Sequence, residues 1–150
     1  MKNIAESKPA LVAKRLKWLL LLFTQGILGL LFAVLSFRVI GRRRAARVSL
    51  GDGGDVVLTR RLRVHGNFAE YVPFGLVLMM LAELQSHSVI LVHLIGGLLI
   101  GGRLLHAIGL GSEQGVMICR VIGMVLTLSA LILGSLTNLG LGNVAGFLVG

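Results

Sequence analysis

The chain has 150 residues, 55% of them apolar and only 14% charged, with a mean hydropathy of +0.91 and a net charge of +9. That balance excludes a water-soluble globular domain and describes one compact membrane unit with no soluble domain left to place. It does not point to nucleic acid either, because the basic residues flank apolar runs and no aromatic stacking platform lies among them.

The first apolar run, WLLLLFTQGILGLLFAVLSF at 18–37, follows a leader containing Lys14, Arg15 and Lys17. The same order describes a signal peptide, but the run exceeds the roughly 7–15 residues of such a core and no small-x-small site precedes Arg38, so a membrane span is expected. Residues 38–63 read as a basic loop. A second span is expected over 64–84, and a third over 89–110 after only QSHS, a connection short enough to force an antiparallel hairpin. The fourth begins near Val121 and is expected to fray after Asn138, giving 121–139. Each run has the roughly 20 residues a helix needs to cross a bilayer, and no ten-residue alternation suggests a barrel. The fold class is therefore all-α, an integral membrane four-helix bundle.

Orientation follows from Lys and Arg. One face carries Arg38, Arg42, Arg43, Arg44, Arg47, Arg60, Arg61, Arg63 and Arg120, the other Lys2, Lys8, Lys14, Arg15 and Lys17. The positive-inside rule puts the 38–63 loop in the cytoplasm and both termini outside, with the basic flanks touching anionic lipid.

Inside the second span, Arg63, Asn67, Glu70 and Phe74 share one helical stripe, with Tyr71 beside it and His65 pointing away. Such residues are costly against lipid, so the stripe is expected to look inward, and Pro73 is expected to bend the helix just beyond Glu70. Arg103 and His106 repeat the pattern one turn apart in the third span. Three readings stay open: a structural clamp in which Glu70 neutralises Arg103 or Arg63, a site for an anion or zwitterion held by guanidinium forks and a carboxylate, or an ion path.

Other features carry less chemistry. GDGGD at 51–55 lacks a following GK[ST] and EF-hand spacing and reads as a flexible turn. His93 reads as a satisfied interhelical bond, and Gly97 with Gly101 at GxxxG spacing as a face for packing or self-association. Cys119, the single cysteine, forms no zinc or CxxC pattern and reads as an inert apolar residue.

The segment RVHGNFAEYVPF, with Arg63, Asn67, Glu70, Tyr71, Pro73 and Phe74 in place, resembles the signature of the MAPEG family, membrane-associated proteins in eicosanoid and glutathione metabolism. GGRLLHAIG in the third span is similar to the family's bacterial YecN-like branch. The resemblance covers about 35–145 and implies a homotrimer in the bacterial inner membrane, with glutathione as co-substrate bound near the cytoplasmic surface between subunits. It implies that Arg63, Asn67, Glu70 and Tyr71 hold the tripeptide, and, less closely matched, that Arg103 is a basic site residue. His106 and Leu110 stand where the family's well-studied transferases carry assisting tyrosines. The thiol-activating arginine at the start of the fourth span has Arg120 as its nearest counterpart, displaced by about one turn. The activity implied is a glutathione-dependent transferase or peroxidase acting on hydrophobic electrophiles, with Arg103 or Arg120 near the thiolate. The alternative is a non-catalytic lipid-binding or scaffold member.

Overall fold

The computed structural model describes residues 8–85, 89–111 and 116–140. Lys2 and most of the QSHS turn lie outside the described residues, as do the side chains of Lys8, Lys14, Arg15, Lys17 and Leu110. Four helices follow in order: α1 Lys8–Ala46, α2 Val56–Leu84, α3 Val89–Gly111 and α4 Met117–Asn138. Each is long and apolar enough to cross a membrane.

The apolar runs are the middles of longer helices. Hydropathy marks where lipid ends, whereas the helix continues as long as its residues favour it, and Arg and Ala do. α1 therefore runs through the arginines to Ala46 and α2 starts at Val56, so the expected 38–63 loop shrinks to nine residues, 47–55. At 1.5 Å per residue α1 is about 58 Å long, against roughly 30 Å of hydrocarbon.

Among the described residues α1 docks on α2 and α3 and makes no contact with α4, while α4 packs on α3 and α2. Leu21, Leu28 and Leu35 of α1 meet Val64, Phe68, Val72 and Met79 of α2, with Val92, Ile95 and Leu99 of α3 completing the core. His65 faces α1, sharing a hydrogen bond with Ser36 Oγ (3.0 Å) and stacking on Phe32 at 4.8 Å. The closest crossing is α3 on α4. A Cβ on Gly123 would lie 2.5 Å from the His106 backbone nitrogen, and one on Gly102 would lie 2.8 Å from the Gly123 carbonyl oxygen. The α4 face in this seam is Gly123, Thr127, Ala130, Gly134 and Thr137, all buried and small. By contrast, a Cβ on Gly97 or Gly101 would meet nothing within 4 Å, so the expected GxxxG face is not a contact inside this chain. His93 is also tied differently from expectation: its Nδ1 pairs with the Val89 carbonyl one turn back on α3.

The GDGGD segment is not a free turn. Asp55 is the N-cap of α2, accepting the Leu58 N–H at 2.7 Å, and it takes a two-pronged ion pair from Arg42 of α1 (3.2 and 2.6 Å). Asp52 accepts from the Gly54 N–H (3.1 Å) and the Thr59 hydroxyl (2.8 Å). Gly53, at φ 57°, has no room for a side chain, since a Cβ would lie 2.5 Å from a Val48 methyl.

These bonds hold both carboxyls below the ordinary aspartate value of 3.8, Asp55 chiefly through Arg42 and then the Leu58 amide, Asp52 through Gly54 and Thr59. A depressed value in the folded chain stabilises the loop fully above the ordinary value, and that stabilisation is lost as pH falls through the lowered one. Exchange of the 54–59 amides, corrected for intrinsic rate, is therefore expected to stay constant from neutral pH down to about pH 4 and to accelerate only below it. Asp55→Asn is expected to accelerate it already at neutral pH. Acceleration of the native loop beginning above about pH 5 would show that these carboxylates do not hold it.

Candidate functional site

The α2 face that carries the polar stripe is not the face that packs the core. Val64, Phe68, Val72 and Met79 occupy the inner side, which leaves Arg63 and Glu70 exposed at the rim of the single chain instead of looking inward as expected. α2 itself runs as helix through Pro73.

At this rim lies a cavity of about 660 Å³. Its α2 wall is built from Thr59, Arg63, Asn67 and Glu70, one helical face at four- and three-residue steps. His106 of α3 and Arg120 of α4 form the opposite side, and Gly51 with Asp52 close it from the loop. The volume falls within the roughly 300–1,000 Å³ of small-molecule sites.

The charged groups in it differ in one respect. Both oxygens of Asp52 are occupied by Gly54 and Thr59. The side chains of Glu70, Arg63 and Arg120 have no hydrogen bond or ion pair among the described residues. Among the described residues the cavity thus presents two unpartnered guanidiniums and one unpartnered carboxylate. Arg120 sits in the first turn of α4, whose N-cap Val116 supplies no side-chain acceptor, so uncapped helix N–H groups add partial positive charge beside it.

Arg103 and Tyr71 stand behind the cavity, outside its lining. Arg103 is only 2% exposed and is held by neutral groups. Its Nε and Nη2 donate to Thr127 Oγ1 (3.0 and 2.7 Å), and its Nη1 donates to Asn67 Oδ1 (3.0 Å) and to the Asn67 carbonyl (3.3 Å). The guanidinium also lies 5.4 Å from the centre of the Tyr71 ring. No ion pair joins Glu70 to Arg103 or Arg63, so the clamp is real but differs in chemistry from the expected one: it ties α2, α3 and α4 through amide and hydroxyl acceptors.

Of the residues singled out in the sequence, Arg63, Asn67, Glu70, His106 and Arg120 line one cavity, whereas Arg103 and Tyr71 support it. Thr127, Asp52 and Thr59 were not anticipated. The signal for Thr127 was a hydroxyl in the fourth span that the third-span arginine would need as acceptor; the signal for the loop was an aspartate placed three residues before Leu58, an N-cap spacing.

A family model for the MAPEG family matches residues 21–140. The chain belongs to the MAPEG family. The MAPEG match contains all seven candidate residues. Curated relatives named "Inner membrane protein YecN", from Escherichia coli (strain K12) and from Escherichia coli O6:H1 (strain CFT073), are each 39% identical over 110 residues, 73% of this chain and 82% of theirs. With four apolar helices and inner-membrane relatives, this MAPEG chain is supported as an integral inner membrane protein.

Proposed function

We propose that the chain is a glutathione-dependent transferase or peroxidase acting on hydrophobic electrophiles dissolved in the bilayer. The observation that carries the reading is the set of unpartnered charges in the cavity, Arg63, Arg120 and Glu70. Arg63 and Glu70 complement one carboxylate and the ammonium of glutathione, which leaves Arg120 for its thiol. Asn67 is the polar neighbour between the two α2 charges, and His106 faces it across the cavity.

In this reading the thiol gives its proton to solvent, and the thiolate is stabilised by Arg120 together with the amino end of α4. The sulfur then bonds to the electrophilic carbon of the apolar substrate and displaces its leaving group. Arg103 acts one layer back, orienting Asn67 and Tyr71. The open rim, where Arg63 and Glu70 are exposed, is the side a second subunit of a homotrimer would close. The arginine-rich end of the helices is cytoplasmic and both termini are outside, which a reporter fused at Gly150 tests.

A second reading, lipid binding without turnover, is favoured by an apolar groove of about 210 Å³ between α1 and α2, walled by Leu28, Phe32, Phe68 and Pro73. Equilibrium glutathione binding in detergent separates the two. Removing one charge of a fully desolvated pair costs about 2–5 kcal/mol. Glu70 is exposed in the single chain, so screening reduces this to roughly 1–2 kcal/mol, a five- to thirty-fold loss for Glu70→Gln. Turnover of an activated aryl halide by the wild type is expected alongside. Folded protein that binds no glutathione sinks the proposal.

A further inference from the structure

A second concave site lies at the end of α1 where the helix leaves its 21–46 membrane span. It is a shallow, open depression of about 400 Å³ between the last two turns of α1 and the start of the loop, and shares no residue with the glutathione cavity. It is lined by Ile40, Val48, Ser49 and three arginines, Arg43, Arg44 and Arg47, and the lining surface is mainly apolar, so the arginines meet it largely along their aliphatic stems. Arg43 spends one donor on the Ser49 carbonyl (3.3 Å). Arg44 and Arg47 have no hydrogen bond or ion pair among the described residues through their side chains.

Attraction to the helix carbonyls accounts for arginines in the last turn of α1, but not for Arg47. That residue stands just past the helix in the left-handed region, φ 54°, where the Val48 N–H reaches back to the Arg43 carbonyl (3.0 Å). Such a closing position ordinarily takes glycine, because a side chain there is strained. It is the one non-glycine residue among those described with positive φ. The strain places a third guanidinium over the concavity. The neighbouring Phe37 and Leu50 are 72% and 89% exposed, apolar surface at the same end of the span.

We propose that this concavity binds the phosphodiester headgroup of an anionic membrane lipid, with Arg44 and Arg47 on the phosphate and the acyl chains running down past Ile40 and Phe37. Guanidinium forks match phosphate oxygens, and the apolar lining together with the position at a membrane rim selects a lipid over a soluble anion. Because Val48 also packs under Gly53, an occupied site buttresses the loop that walls the glutathione cavity.

The test uses the full chain in detergent, titrated with short-chain phosphatidylglycerol, with phosphatidylcholine of the same chains, and with inorganic phosphate. Bound lipid is read by native mass spectrometry and thermal unfolding is followed in parallel. Phosphatidylglycerol is expected to bind more tightly than phosphatidylcholine. Each guanidinium contributes about five-fold near an anionic lipid, so Arg44→Gln/Arg47→Gln is expected to lose roughly 25-fold. Arg47→Gly alone is expected to lose about five-fold while melting at the wild-type temperature or above, since glycine relieves the strain. Arg60→Gln/Arg61→Gln, on the same membrane face, is expected to leave the affinity unchanged. An equal loss in that control, no preference over phosphatidylcholine, or a lowered melting temperature for Arg47→Gly overturns the proposal. Inorganic phosphate displacing the lipid as well as phosphatidylglycerol itself does would identify a free-anion site and overturn it too.

Discussion

Gly123→Ala is expected to be among the most destabilising one-methyl changes in the membrane helices. The added carbon would lie 2.5 Å from the His106 nitrogen and 2.7 Å from the Gly102 carbonyl oxygen, both backbone atoms that cannot rotate aside. Relief requires α3 and α4 to separate, which also pulls Arg103 from Thr127. Overpacking usually costs about 1–3 kcal/mol, and a backbone clash belongs at or above the upper end. Gly102→Ala is expected to behave alike, with its Cβ 2.5 Å from Thr127 Oγ1. Gly97→Ala, with nothing within 4 Å, is the control; better helix propensity makes it neutral or up to about 1 kcal/mol stabilising. Thermal unfolding in detergent checks all three. Gly123→Ala melting with the wild type would mean that the seam is not this close, and a destabilised Gly97→Ala would mean that another copy packs on that face.

Arg103→Met carries the second large effect, and its size is set by what is left behind. A buried guanidinium without a counter-ion is costly to desolvate, so losing the charge is partly favourable. The substitution nevertheless orphans the half-buried Asn67 side-chain oxygen, at about 1 kcal/mol, the low end for an unsatisfied polar group, and unties α2 from α3 and α4. Thr127 suffers less, because its hydroxyl already donates to the Gly123 carbonyl at 2.8 Å. A net loss of about 2 kcal/mol is expected and, on the proposed function, weakened glutathione binding as Asn67 loses its orientation. The double variant Arg103→Met/Asn67→Leu is expected to regain most of the stability and none of the binding, since an apolar pair leaves no orphan. Thiolate absorbance of any bound glutathione is expected to survive Arg103→Met and to disappear in Arg120→Met. The reverse would place Arg103 at the sulfur.

Arg103 also shows where reading along one helix stops. Periodicity put Glu70 and Arg103 at similar depth, and opposite charges at similar depth suggest a pair. In the fold Glu70 lies on the rim of α2 while Arg103 points into the seam, where Thr127 arrives from α4. The span limits failed for another reason. Hydropathy ends with the lipid, but the hydrogen-bond ladder of α1 does not, and the cavity is walled partly by Thr59 and Asp52, beyond the expected start of the second span. Asp55 ahead of an apolar run was a legible cap signal that moves that start to Val56.

Four membrane helices, an arginine-rich end and a polar stripe of Arg63, Asn67 and Glu70 were determined by the sequence alone, because hydropathy and helical period are local properties of a chain. Tertiary structure alone decided which charges stay unpartnered and which are absorbed into the packing. That outcome depends on how closely α3 approaches α4, and the distance is set by Gly102 meeting Gly123 and by Thr127 reaching Arg103. Such contacts join residues about twenty positions apart on different helices, so no pattern within a single helix contains them.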